Sequence, residues 1–166
     1  MILGMSLQTF TTVHVIISLV AIASGLVVLF GMLGSHKLGY WTAFFLFTMI
    51  LTSVTGFMFP IQGFTPALAV GVLSLVILAF AVLARYGRHF AGAWRWIYVV
   101  TAVTALWFNV FVLIVQSFQK VEFLQPLAPT QSEPPFLITQ TAVLVAFVVL
   151  GVMAAIKFRP APALHS

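Results

Sequence analysis

His14 and Asn109 are polar groups in places where polarity is costly. No Asp, Glu, Lys or Arg precedes Lys37 and none lies between Arg95 and Lys120, so both sit inside long apolar runs. An imidazole can ligate a metal, move a proton or accept a hydrogen bond, and a carboxamide donates and accepts at once. Such groups in hydrocarbon are often functional, although His and Asn also join helices as plain hydrogen-bond connectors. Thr52, Thr55, Gln116 and Gln140 add hydroxyls and carboxamides, and Trp107 adds an indole N–H beside Phe108. Polar groups against an apolar wall suit a small apolar-polar molecule such as a quinone or a lipid. Hydrolysis is poorly served. The chain has no Asp, its two carboxylates are Glu122 and Glu133, and neither a Ser-His-acid set nor a His-Glu-x-x-His motif can be drawn.

A second group is basic. His36 and Lys37 fall in one short connection, and Arg88, His89 and Arg95 in or beside another. If these connections meet, they offer an anion, such as a lipid phosphate, a cationic surface with no competing carboxylate. The lack of carboxylate and thiolate ligands also makes the cluster a poor metal site. Bundle haem needs two axial ligands at similar depth. His14 belongs to the outer half and His36 and His89 to the inner surface, so a haem reading requires Met58 or a dimer to supply the second ligand. The residues by themselves assign no cofactor and no metal.

Helices must hold these groups in place. Hydrophobic residues make up 63% of the 166 residues and charged residues 5%, against about 45–50% and about 25% in soluble domains. The charge-free intervals each accommodate ~20 helical residues, enough to cross a hydrocarbon core of about 30 Å. The expected fold is all-α: one polytopic membrane domain with five helices at about 7–32, 38–58, 66–85, 94–118 and 136–156. Pro60-Ile61-Gln62-Gly63-Phe64-Thr65-Pro66 divides the second interval, and Pro66 can open the third helix. A barrel would need alternating strands, which Val72-Leu73-Ser74-Leu75-Val76 does not provide.

Small and polar residues recur three and four apart, the spacing of one helix face. The stripes are His14, Ser18, Ala21 and Gly25; Thr48, Thr52 and Thr55; Tyr98, Ala102, Ala105, Asn109 and Gln116; and Gln140, Phe147, Gly151 and Ala154 or Ala155. These faces should point into the bundle, where small residues permit close approach. The third helix has only Gly71 and Ser74 and is expected at the periphery. His14 and Asn109 fall in the outer half, so the expected site is an outward-facing polar cavity beneath the long outer connection at about 119–135. Its prolines argue for a flexible loop, with a lid as the alternative, and Phe123, Leu124 and Leu127 suggest that part of it rests on the membrane or on the bundle.

Lys37, Arg85, Arg88, Arg95, Lys157 and Arg159 share one side of a five-helix chain, and Lys120 alone lies on the other. The positive-inside rule makes the six-residue side cytoplasmic, with the N-terminus outside and the C-terminus inside. The first apolar stretch lacks a basic n-region and a cleavage site, so it is expected to be a retained helix. The absence of cysteine removes disulfides and thiolate-ligated groups from consideration. The net charge of +5 is spread over three short segments and does not suggest nucleic acid.

His14, Gly25, the run Gly34-Ser35-His36-Lys37-Leu38-Gly39, and Thr55-Gly56 together resemble a group of uncharacterised small bacterial inner-membrane proteins. The likeness covers roughly the first sixty residues, and Arg is commoner in that group where this chain has Lys37. It implies a multi-helix protein of the bacterial inner membrane, draws attention to His14 and His36, and carries no activity. The functional expectation is an accessory or binding protein holding a quinone or lipid. The alternatives are an assembly subunit, as a homo-oligomer or in a larger complex, a haem-binding electron-transfer protein, or a small transporter. Single-cysteine labelling of intact cells tests the topology: Ser132→Cys should react from outside, and Lys37→Cys, Arg88→Cys and Arg159→Cys should react only after permeabilisation.

Overall fold

The computed structural model describes residues 1–60, 63 and 65–161. It is an all-α bundle of five helices long and apolar enough to cross a membrane: α1 (Leu7–Leu33), α2 (Gly39–Phe57), α3 (Pro66–Val82), α4 (Trp94–Lys120) and α5 (Pro134–Lys157). The chain is a multi-pass membrane protein. At 1.5 Å per residue the 27 residues of α1 and of α4 reach about 40 Å, so both can cross a core of about 30 Å with tilt or protruding ends.

Local chemistry starts and stops these helices. The Ser6 hydroxyl accepts from the Thr9 N–H at 3.1 Å and caps α1, and the Thr65 hydroxyl does the same for the Leu68 N–H of α3. Pro66 and Pro134 occupy first-turn positions where a missing N–H costs nothing. Of the turn expected between α2 and α3, Ile61, Gln62 and Phe64 lie outside the described residues. The third span does not end as an ordinary α-helix. It passes into a π-helical turn, Leu83–Gly87, in which the Arg88 N–H reaches the Leu83 carbonyl at 2.8 Å.

Each helix packs on its chain neighbours, and α1 also meets α4 and α5, closing the ring. The striped faces turn inward: Ala21 and Gly25 on α1, Thr48 and Thr55 on α2, Tyr98, Ala102 and Ala105 on α4, and Phe147, Ala154 and Ala155 on α5 are buried. The third span is peripheral as expected beside the first, second and fourth, at 22% buried against 39%, 33% and 33%, but α5 is less enclosed still. Only 11% of its most apolar stretch is buried. α3 lies between α2 and α4 and seats Ser74, Leu78 and Ala81, and α5 lies between α4 and α1, meeting α4 where Gly151 approaches Val103.

The end that the charge distribution assigns to the inner side ties together the three basic segments. Arg85 Nη1 donates to the Lys37 carbonyl at 3.2 Å, Arg95 Nη1 to the carbonyls of Ala155 and Phe158 at 2.8 and 2.7 Å, and the Arg159 N–H to the Ser35 hydroxyl at 2.8 Å. The odd number of crossings requires this convergence. At the opposite end the long connection is folded onto the bundle and is not simply solvated, with Ala128 buried against Phe118 and Phe136. Gln131 Nε2 there donates to the Val115 carbonyl at 3.0 Å.

Gly25 sets the closest approach of α1. A Cβ there would stand 2.6 Å from Leu106 Cδ1 and 2.7 Å from Phe45 Cε2, while at Gly39 it would meet nothing nearer than Arg85 Nη2 at 3.8 Å. Gly25→Val should therefore destabilise the folded protein by about 1–3 kcal/mol, and Leu106→Ala should recover part of that loss. Gly39→Ala should change stability by less than about 0.5 kcal/mol. Thermal unfolding in one detergent compares the four proteins.

Candidate functional site

The polar residues of the outer half gather where α1, α2 and α4 meet. His14 Nδ1 lies 2.7 Å from Thr55 Oγ1. Asn109 Nδ2 donates to the Ser18 carbonyl at 3.3 Å and approaches Met49 Sδ at 3.4 Å, while the Ser18 hydroxyl donates to the His14 carbonyl at 2.8 Å. Ser18 thus lies at the depth of Asn109. His14, one helical turn further out, sits about 6 Å above it. Thr52 is three residues beyond Met49 and Gln116 seven beyond Asn109, so the series continues outward for about 10 Å along one seam. Thr52 Oγ1 and Gln116 Oε1 are buried and have no hydrogen-bond partner among the described residues.

The Thr55 hydroxyl determines how His14 is presented. Thr55 Oγ1 lies 2.8 Å from the Leu51 carbonyl and 3.1 Å from that of Thr52. Both oxygens only accept, so the single hydroxyl proton goes to them, as helix-buried Thr hydroxyls commonly arrange. Thr55 Oγ1 must then accept from His14 Nδ1–H. That leaves the neutral ring with its lone pair on Nε2, the tautomer logic of histidines held by a partner. The Phe59 ring packs edge-on against the imidazole at 5.2 Å. Among the described residues no three His, Cys, Asp or Glu side chains converge on a metal position.

Trp107 and Gln140 belong to another part of the bundle. Trp107 is two residues from Asn109, about 200° around α4, and stacks with Phe108 and Phe111 at 5.2 and 5.9 Å. Gln140 Nε2 donates to the Phe111 carbonyl from α5 at 3.2 Å. Trp107 Nε1 and Gln140 Oε1 are likewise buried without partners. The seven residues singled out in the sequence therefore divide. His14, Thr52, Thr55, Asn109 and Gln116 share the α1/α2/α4 seam, and Trp107 and Gln140 lie on the α5 side of α4. Sequence reasoning missed Met49, Phe59 and the Ser18 carbonyl, since an apolar residue or a backbone oxygen carries no signal of its own.

Above the seam, the outer connection is organised by Glu133. Its carboxylate accepts from the Thr130 hydroxyl at 2.7 Å, from the Thr130 N–H at 3.1 Å and from the Ser132 N–H at 3.1 Å. Those bonds, the Thr130 hydroxyl foremost, hold the Glu133 carboxyl below the usual carboxylate range. At the inner end Lys37, His89 and Arg95 line one cavity of ≈ 480 Å³ together with Arg85. His36 and Arg88 are absent from its lining. The His36 ring sits beside Gly34, and the Arg88 guanidinium lies over Trp94 at 5.2 Å.

The fold and these groups define a polytopic helical membrane protein with a polar seam in its outer half and a basic cavity at its inner end. Comparison with protein-family models, curated proteins and solved structures finds no match.

The tautomer has a spectroscopic signature. In ¹⁵N-histidine spectra of the lipid-embedded protein, His14 should show a protonated Nδ1 and an unprotonated Nε2. Thr55→Ser should preserve that pattern, and Thr55→Val should abolish the preference and cost about 1–3 kcal/mol of stability.

Proposed function

We propose that this chain is a membrane binding or accessory protein, of the bacterial inner membrane, that holds one small apolar molecule with a polar head in the outer part of the α1/α2/α4 seam. The observation that carries this reading is the pair of unpartnered buried atoms, Thr52 Oγ1 and Gln116 Oε1, on the seam that also carries His14 and Asn109. Leaving such atoms unpaired costs on the order of 1–3 kcal/mol each, and a ligand head between the helices would remove that cost.

The donor and acceptor inventory narrows the ligand. His14 Nε2, Gln116 Oε1 and Asn109 Oδ1 accept, Gln116 Nε2 donates, the Thr52 hydroxyl can do either, and Asn109 Nδ2 is already occupied by Ser18 and Met49. Such a mixed set favours a head that both donates and accepts. Within the quinone class that is the hydroquinone. The Phe59 ring, edge-on to the His14 imidazole, supplies part of the apolar wall such a ring needs. The exposed apolar surface of α5, which includes Val145, Val148, Val149 and Val152, supports a second reading as an assembly subunit of a larger membrane complex.

Ligand content per folded protein separates binding from mere helix joining. Gln116→Leu and Thr52→Val delete buried oxygens that have no partner among the described residues, so each should leave thermal stability unchanged or raised while occupancy by co-purifying or added hydroquinone falls about fivefold or more. His14→Ala and Asn109→Ala should each reduce occupancy, and the double variant should lose less than the sum. Equal ligand content in all folded variants would reject the shared site.

A further inference from the structure

At the inner end of the bundle, the basic cavity adjoins an apolar groove. The cavity brings Lys37, Arg85, His89 and Arg95 around a space of ≈ 480 Å³ walled by Tyr86 and Phe90. The groove runs between α2 and α3, from Ile50 past Leu75, Ala79 and Val82 to the π-helical turn, with ≈ 470 Å³ of space. Tyr86 lines both. A polar head and a hydrocarbon tail joined at that residue would occupy the two spaces at once.

The charges in the cavity are fixed but not neutralised by any of the described residues. Arg85 is held through Nη1 by the Lys37 carbonyl, and Arg95 through Nη1 by the carbonyls of Ala155 and Phe158, with its guanidinium over Trp96 at 4.6 Å. Carbonyl oxygens orient these cations without cancelling them. Both Glu side chains of the chain, Glu122 and Glu133, lie in the connection between α4 and α5 at the opposite end, and there is no Asp. A concave surface with one sign of charge beside low-dielectric walls concentrates the opposite sign. The sequence draws attention to His36 and Arg88 in this role. The fold replaces them with Arg85, which the π-helical turn Leu83–Gly87 delivers to the cavity wall.

We propose that this cavity binds the phosphate of one anionic phospholipid of the cytoplasmic leaflet, with an acyl chain laid in the α2/α3 groove beneath Tyr86. Charge complementarity selects an anionic head, and the adjoining groove selects a lipid over a free phosphate. A zwitterionic lipid would fill the groove equally well but would set its own cation among the four basic groups. The site is separate from the outer seam and stands whether or not the seam binds a ligand.

Delipidated protein in detergent, titrated with phosphatidylglycerol, with phosphatidylcholine of the same chains or with inorganic phosphate, tests this by native mass spectrometry. Wild-type protein should retain one phosphatidylglycerol at least fivefold more strongly than phosphatidylcholine, and millimolar inorganic phosphate should not displace it. The double variant Lys37→Gln/His89→Gln should lose about fivefold or more of that retention, from roughly 1 kcal/mol per basic residue at a membrane surface, and Lys37→Arg should keep it. Ala79→Trp, which fills the groove and leaves every charge in place, should also weaken retention. Folding is checked by thermal unfolding, and should the double variant not fold, Ala79→Trp and the choice between the two lipids decide alone. Equal retention of the two lipids would overturn the proposal, as would phosphatidylglycerol binding unchanged by Ala79→Trp. Displacement by phosphate would make the cavity a site for soluble anions and overturn the lipid assignment.

Discussion

Hydrocarbon offers no hydrogen-bond partner, so each polar group on these helices must find one inside the protein. Most hydroxyls do so locally. Those of Thr11, Thr12, Ser18, Thr48, Thr101, Ser117 and Thr139 fold back onto carbonyls of their own helices. Only a few side chains are left to reach across, and these few give the bundle its specificity. His14 ties α1 to α2, Asn109 ties α4 to α1, and Gln140 ties α5 to α4. In lipid, apolar contact does little to distinguish one packing from another, and each interhelical bond of this kind contributes only about 0.6–2 kcal/mol. A small number of polar links together with close contacts such as Gly25 against Phe45 and Leu106 must therefore fix the arrangement.

The same constraint explains why the outer seam attracts attention. Thr55 spends its proton on a backbone carbonyl and its lone pair on His14, which orients the imidazole and leaves Nε2 as an acceptor. Thr52 and Gln116, on the same seam, have buried oxygens with no partner among the described residues. In a medium that penalises each unpaired group, two such atoms beside an oriented histidine are a recognisable deficit, and the proposed ligand is the chemistry that would fill it.

Much of the fold was legible because charge was so scarce. The intervals before Lys37, between Lys37 and Arg85, between Arg95 and Lys120 and between Glu133 and Lys157 mark four apolar stretches, the turn at Pro60 to Pro66 divides the second into two crossings, and the six-to-one split of basic residues agrees with that odd number. The inward stripes were legible because small and polar residues repeat with the helical period. The rank of α3 and α5 was not, because enclosure depends on which helices flank a span, and composition says nothing of that. Nor was the π-helical turn at Leu83–Gly87, so Arg85 was passed over for Arg88. Site membership was legible only by face. Trp107 and Asn109 are close in sequence and similar in depth, but two residues on a helix point nearly opposite ways. That part of the outer connection rests on the bundle was legible from its apolar residues, of which Leu124 packs there, but the particular partners of Ala128, Gln131 and Glu133 were not.

Photo-cross-linking in native membranes bears most directly on the claim that the α1/α2/α4 seam is a ligand site. A hydroquinone analogue carrying a photoreactive group on its ring would be irradiated with the protein, and the modified peptides mapped by mass spectrometry. Saturable labelling, competed by unlabelled hydroquinone, should fall on α1 around His14 and on α4 between Asn109 and Gln116. Labelling confined to the lipid-facing residues of α5, or labelling that competitor does not reduce, would contradict the account.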